Sequence, residues 1–257
     1  MSDDKLALLI FVVLTITAPV IFVYLTHSSP WSASIKSCNG LAGPFLSSVF
    51  LVFGLNLVFL ANEVWGAHDR ARAAAALEGD TLRNIARAAS GLKSSVGRSI
   101  VEALNRYDLY TINEDWSQLG RPNRTYGEGG SLADVTVLIG SADFAALTAP
   151  TVQSQLLNQI NNLRSARNIR YALAEDQLNP VKWYFAYFID IVAILTVGFG
   201  HLQGRRPQIV AFVLFFTVST PTLVLLNTQA NPFRGLVPVA PTAIQLALDH
   251  SNTLLKR

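Results

Sequence analysis

Four long apolar segments divide the chain and set its overall plan. They are residues 6–26, 44–65, 181–202 and 208–227. Each is about as long as the roughly 20 apolar residues that a helix needs to cross a bilayer. The chain between the second and third segments is more polar, and most of it shows the periodicity of helices. The pattern therefore predicts an all-α membrane protein with four transmembrane helices and a helical region outside the membrane.

The second apolar segment has two different faces. At 100° per residue, one side is wholly apolar, and the other side is a stripe of rings, aliphatic groups, an amide and a carboxylate. The stripe consists of Phe45, Val49, Val52, Asn56, Phe59 and Glu63. An amide and a carboxylate are costly to expose to hydrocarbon, so the stripe should face protein or water. It could pack against helices of its own subunit, line a pore, or line a groove for a cofactor or lipid.

The region between the second and third spans predicts several helices. An alanine- and arginine-rich stretch follows Trp65 without a helix breaker, which predicts one long helix, or two with a bend near Gly79. Further helices are predicted at 94–119, 131–146 and 150–174, with a breaker-rich loop at 120–130. After the fourth span the tail is too polar and too rich in proline to cross a membrane, although 243–255 could form a short surface helix.

The predicted organisation is two spans in 1–65, a helical region in 66–180, two further spans in 181–230 and a tail in 231–257. With four spans, both termini and the helical region lie on one side. Basic residues near the spans are more numerous on that side (Lys5, Arg70, Arg72 and Lys182) than on the other (Lys36, Arg205 and Arg206). The positive-inside rule therefore predicts a multi-pass protein of the cell (inner) membrane with these parts in the cytoplasm.

The composition argues against several classes of function, namely nucleic-acid binding, metal binding and catalysis. Of the residues, 51% are hydrophobic and only 14% are charged, against about 25% charged in soluble domains. The net charge of +3 comes without a basic run, so nucleic acid is not an expected partner. The single Cys38 and four scattered histidines form no disulfide or metal pattern. No catalytic motif is present, so no enzymatic, cofactor or metal site is predicted.

Three polar residues inside the spans are further candidates for function. Asp190 is the only ionisable residue deep in a span, and an intramembrane carboxylate is a functional candidate unless it only bonds a neighbouring helix. Thr217 and Thr220 share a face of the fourth span close to Pro221, which frees a backbone carbonyl. These threonines could serve function, or simply accompany a structural kink.

Several motifs are spread over nearly the whole chain. They are Asp69-Arg70-Ala71-Arg72 before an alanine-rich helix, Tyr107, Glu114-Asp115-Trp116, the arginine row Arg164, Arg167 and Arg170, and Asn231-Pro232-Phe233-Arg234-Gly235 with Pro238 and Pro241. Together they resemble the bacterial bestrophin-like membrane family. The last motif is the most specific. One position departs from the pattern, because Asp115 separates the Glu-Trp pair that is typical of the family.

The resemblance implies a four-span, mostly helical pentamer in which the second span lines an anion pore and apolar side chains form a neck. Phe45, Val49, Val52 and Phe59 suit such a neck by position. We therefore expect a homo-oligomeric ion channel, anion-preferring by this resemblance, in contact with membrane lipids. The alternative is a non-conducting accessory or scaffolding subunit that binds a partner membrane complex through its cytoplasmic helices.

Overall fold

The structure is a computed structural model that describes residues 3–40, 42–92, 94–121, 130–175 and 179–256. It is 85% helical, with no strand among these residues. Four of the helices in this described part of the chain are long and apolar enough to cross a membrane. The predicted all-α fold with four spans is therefore confirmed. The chain forms two compact units, Met1–Trp65 with Gln177–Ala230 (unit 1) and Gly66–Asp176 with Asn231–Arg257 (unit 2).

Unit 1 contains the four apolar helices. They are α1 (Asp3–His27), the first part of α3 (Ala42–Gly91), α9 (Pro180–Gly200) and α10 (Arg205–Thr228), with the short helix α2 (Ser32–Lys36) between the first two. Phe11 of α1 stacks on Tyr187 of α9 with ring centroids 4.2 Å apart, and Leu60 of α3 is buried in the same cluster. Helix α2 falls in a stretch that the sequence analysis left between the first two predicted spans.

The regular structure of unit 2, over its described residues, is helical and includes the rest of α3. Its other helices are α4 (Ser95–Tyr110), α5 (Trp116–Gln118), α6 (Gly130–Gly140), α7 (Ala142–Leu147), α8 (Pro150–Glu175) and α11 (Thr242–Leu255). A π-helical turn, Thr111–Asp115, joins α4 to α5. The core is a set of fully buried aliphatic and aromatic side chains, among them Leu82, Ile100, Leu104, Phe144 and Leu163.

Helix α3 is one continuous helix of 50 residues, so the structure has the single long helix and not two helices divided near Gly79. Gly79 has a different role, because a Cβ atom there would lie 2.5 Å from the carbonyl oxygen of Ala243 in α11. The glycine therefore allows the backbones of α3 and α11 to approach closely.

Two predicted helices are subdivided in the structure. The helix expected at 94–119 contains the π turn, in which one extra residue is accommodated. The helix expected at 131–146 is interrupted at Ser141, whose hydroxyl accepts a hydrogen bond from the Phe144 N–H and caps α7. Of the loop predicted at 120–130, residues 122–129 lie outside the described part of the chain.

Candidate functional site

The stripe predicted on the second span lies on the unit 1 part of α3 and is largely uncovered within the subunit. The exposed fractions are 61% for Phe45, 46% for Val52 and 69% for Phe59. Val49 and Asn56 are partly buried. In the apolar part of this helix only 11% of the residues are buried inside the subunit, whereas in α9 the share of buried residues is 44%. The stripe is thus a row of apolar side chains, with one amide among them, that the described part of the subunit leaves largely uncovered.

Glu63 ends the stripe and forms an ion pair with Lys182 at the start of α9. The Lys182 Nζ donates to both carboxylate oxygens of Glu63, at 2.6 and 2.7 Å. Both side chains are partly exposed, so the pair contributes little to stability. Its effect is local, because it balances the only ionisable side chain of the stripe. Sequence periodicity could not have found this partner, which lies 119 positions away.

The other three predicted intramembrane residues have different surroundings. Asp190 on α9 is fully buried, and the Ser219 hydroxyl of α10 is its side-chain neighbour, without the geometry of a regular hydrogen bond. Thr220 is also buried, and its hydroxyl makes no hydrogen bond to any described residue. Thr217 is exposed and donates to the carbonyl of Val213 one turn earlier. Asp190 and Thr220 therefore face the interior of unit 1, and Thr217 does not.

A buried network of charges lies at the centre of unit 2, around Arg170 of α8. Its Nε donates to Glu78 Oε2 at 2.8 Å, and its Nη2 donates to Glu78 Oε1 at 3.2 Å. Its Nη1 donates to Asp115 Oδ2 at 2.8 Å. Arg170 and Glu78 are fully buried and Asp115 is nearly so. One guanidinium thus joins α3, α8 and the π turn.

Tyrosines complete this network. Tyr107 of α4 donates to Glu78 Oε1 at 2.6 Å, and Tyr171 of α8 donates to Asp115 Oδ2 at 3.0 Å while accepting from Arg167 Nε at 2.8 Å. Burial raises the pKa of Tyr107, and the Glu78 carboxylate raises it further. Burial also raises the pKa of Tyr171 to about 12, with Asp115 adding to the effect. Both hydroxyls therefore stay protonated donors at neutral pH.

The guanidinium of Arg170 is held in its charged form. Burial alone would lower its pKa, but the Glu78 carboxylate more than compensates, so the pKa lies above the ordinary arginine value. The guanidinium carbon also lies 4.9 Å from the ring centres of Trp116 and Tyr171, within the range of a cation–π contact. The network has no net charge, because the carboxylates of Glu78 and Asp115 balance the guanidinium groups of Arg167 and Arg170.

Asp108 is a second buried carboxyl group, on α4 next to Tyr107. It is fully buried, and its two oxygens make no hydrogen bond to any residue in the described ranges. Burial raises its pKa to about 8, and the negative charge of Glu78 contributes to the rise. Asp108 is therefore mostly protonated at neutral pH, whereas Glu78 and Asp115 are paired with arginine.

The proline-rich motif after the fourth span folds back on Trp116. Asn231 Nδ2 donates to the carbonyl of Ala174 at 2.9 Å, and its Oδ1 accepts from the Phe233 N–H. Gly235 has a φ of +105°, in the left-handed region that favours glycine. Trp116 packs edge-on against Phe233 and donates its indole N–H to the Val239 carbonyl at 3.0 Å. The motif thus fixes the indole that lies over Arg170.

The structure brings together four residues from three separate motifs of the sequence: Tyr107, Asp115 with Trp116, and Arg170. Arg164, from the same predicted row, remains exposed and bonds the Thr136 hydroxyl at 3.0 Å. Glu78, the central acceptor, was missed. A signal was available, because Glu78 lies on the same helical stripe as Ala71, Ala74 and Leu82, all of which are buried.

The comparisons with known proteins concern the family and the overall fold of the chain. A family model for the Bestrophin-like domain matches residues 12–244. A bacterial bestrophin homologue from Klebsiella pneumoniae has a TM-score of 0.73 at 11% identity, over 97% of this chain and 98% of the other. A variant of a Klebsiella pneumoniae homologue, in which one tryptophan is replaced by alanine, gives 0.74 at 11% identity, over the whole of both chains.

A further solved structure, a membrane protein in which one proline is replaced by alanine, has a TM-score of 0.70 at 14% identity over the whole of both chains. At these identities the structural matches show a shared fold. No curated protein matches this chain. Because the family match extends over most of the sequence, the chain belongs to the bestrophin-like family of membrane proteins.

Proposed function

We propose that this protein is a homo-oligomeric ion channel, anion-preferring, whose pore is lined by the stripe of the second span. The observation that carries the proposal is the exposure of the stripe in the single subunit. Large apolar side chains lie there on the same face as Asn56 and Glu63. Lipid would suit the apolar groups but not the amide and the carboxylate. An axis shared by several copies suits all of them.

In a ring, each residue of the stripe has a distinct effect. Phe59 and Val52 form dry constrictions that resist wetting, and Asn56 supplies amide N–H groups between them. Lys182 neutralises the Glu63 carboxylate at the end of the stripe, so the row does not present the ring of bare carboxylates that favours cations. This charge balance supports anion preference, which the family resemblance also implies.

We further propose a multi-pass arrangement in the cell (inner) membrane, with both termini and unit 2 in the cytoplasm. Lys182 lies near the start of α9, and Arg70 and Arg72 follow the apolar part of α3. Basic residues that close to spans favour the cytoplasmic side. A pentamer is the assembly that the resemblance implies.

Conductance of the purified protein in planar bilayers under a chloride gradient tests the proposal. Phe59→Ala should widen the constriction and raise the resting conductance, because it removes a bulky apolar ring from the neck. Val58→Ala is the matched control, since Val58 is similarly exposed at 63% but lies outside the stripe, and it should conduct as the parent does.

Equal conductance of Phe59→Ala and Val58→Ala would show that the stripe of the second span does not line the pore. A protein that never conducts and is monomeric in detergent would contradict the channel and favour the accessory subunit.

A further inference from the structure

A long groove runs between α1 and α10 in unit 1, away from the stripe of the second span. Its volume is about 640 Å³. Its walls are apolar, formed by Ile16, Val20 and Val23 of α1 and by Ile209, Val213 and Phe216 of α10. Since both helices are long and apolar enough to span a membrane, the groove lies at the depth of the hydrocarbon core.

One end of the groove is polar and positively charged. Arg205, the first residue of α10, and Ser28, directly after the last residue of α1, both line it there. Arg205 forms no ion pair with any carboxylate in the described ranges. Gly204 provides no side-chain cap for α10, so the positive end of the helix dipole adds to the charge of Arg205.

We propose that this groove is a binding site for an anionic phospholipid, with one acyl chain along the apolar walls and the phosphate at Arg205. The lining residues of α1 extend from Thr15 to Ser28, which at 1.5 Å per residue is about 20 Å. An acyl chain of one leaflet covers about half of the roughly 30 Å hydrocarbon core, so the groove is long enough.

The positive charge of Arg205 at the end of the groove favours an anionic lipid over a second copy of the chain or a zwitterionic lipid. An apolar helix of a second copy would bury Arg205 without a partner, which is costly. A zwitterionic headgroup adds a positive charge beside the guanidinium, whereas an anionic headgroup leaves the phosphate as the dominant charge. The site does not depend on ion conduction, and its occupation would tie α1 to α10 on the lipid-facing side of the subunit.

Thermal unfolding of the full chain in a neutral detergent, titrated with phosphatidylglycerol, tests the site. We expect the lipid to raise the midpoint in a saturable way, whereas phosphatidylcholine and inorganic phosphate raise it little. Arg205→Ala should weaken the apparent affinity at least tenfold, and Arg205→Lys should retain most of it. Arg206→Ala is the matched control, because Arg206 is adjacent but does not line the groove, and it should bind as the parent does.

A second variant tests the apolar walls of the groove independently of the charge of Arg205. Val20→Trp should fill the groove and abolish the response to phosphatidylglycerol while the unliganded midpoint stays close to that of the parent. Equal stabilisation by phosphatidylcholine, an equal loss in Arg206→Ala, or no saturable effect would overturn the proposal. A Val20→Trp protein with a smaller oligomer would also overturn it, because the groove would then be a contact between copies.

Discussion

Among single residues, Arg170 has the greatest influence on the charge balance of unit 2. It is the shared donor to Glu78 and Asp115, and all three groups are buried. We expect Arg170→Ala to lower the free energy of unfolding by about 3–5 kcal/mol, because it leaves the buried Glu78 carboxylate without its ion-pair partner and removes one of the two cations of the network. Loss of helical circular dichroism with temperature or denaturant would measure this.

Two further variants identify the cause of that loss. Arg164→Ala removes an arginine of the same helix that is exposed and donates to the Thr136 hydroxyl, so its effect should stay below about 1 kcal/mol. Arg170→Lys keeps the charge but loses the planar fork, and should fall between the two. A similar loss in Arg164→Ala and Arg170→Ala would show that the buried network contributes no special stability.

Asp108 should make the stability of the protein depend on pH. The pKa of this carboxyl group is raised to about 8 in the folded protein, from an ordinary value of 3.8. The folded state therefore binds the proton more tightly, so its contribution is fully present below pH 3.8 and is lost as pH rises through 8. Asp108→Asn, which cannot ionise, should show a shallower decline in unfolding temperature between pH 5 and about 8.

The pH dependence of the unfolding free energy that Asp108 causes has an upper limit. One extra proton held by the folded state corresponds to a slope of at most about 1.4 kcal/mol per pH unit. All other titrating groups are shared by the parent and Asp108→Asn, so the difference between the two pH profiles isolates Asp108. Parallel profiles over this range would contradict the assignment.

At the scale of elements, the packing of α11 on α3 depends on Gly79. A methyl group there would overlap the backbone carbonyl of Ala243, which is not a flexible group that can rotate away. We expect Gly79→Ala to cost about 1–3 kcal/mol of unfolding free energy, although alanine is the better helix former. Gly91→Ala is the control on the same helix, because nothing lies within 4 Å of its added Cβ, and it should change stability by less than about 1 kcal/mol.

The helices themselves were predictable, because each has an apolar face repeated at the helical period or a long apolar run. The π turn at Thr111–Asp115 was not, since no apolar period marks it, and its last residue, Asp115, accepts a hydrogen bond from Arg170, 55 positions further along the chain. Glu78 was missed for a related reason. Its helical stripe with Ala71, Ala74 and Leu82 indicated a buried position, but the sequence does not show which helix supplies the guanidinium that a buried carboxylate needs.

The candidate pore stripe shows the same limit. Periodicity places Phe45, Val52 and Phe59 on one face, but a sequence pattern does not say whether other helices of the subunit cover that face. In the structure they do not. The ion pair between Glu63 and Lys182 was equally hidden, because it joins two spans that are distant in the sequence.

At the scale of the whole molecule, the uncovered stripe makes assembly into a ring the central prediction. If the stripe surrounds a water-filled axis, a side chain at Asn56 must be reachable from water, whereas one at Val58 must not. In a Cys38→Ser background, which removes the native thiol, we expect Asn56→Cys channels to lose conductance after exposure to a charged, membrane-impermeant thiol reagent. The bulky charge would sit between the two dry constrictions and obstruct the ion path.

The matched variant is Val58→Cys, two residues further along the same helix. Val58 is 63% exposed in the single subunit, and its direction relative to the stripe points it at lipid or at a neighbouring copy. A water-soluble reagent reacts with thiolates, which are scarce in an apolar environment, so this channel should keep its conductance. Inhibition of Val58→Cys with Asn56→Cys unaffected would show that the pore faces the other side of α3, and inhibition of neither would place the conduction path away from the second span.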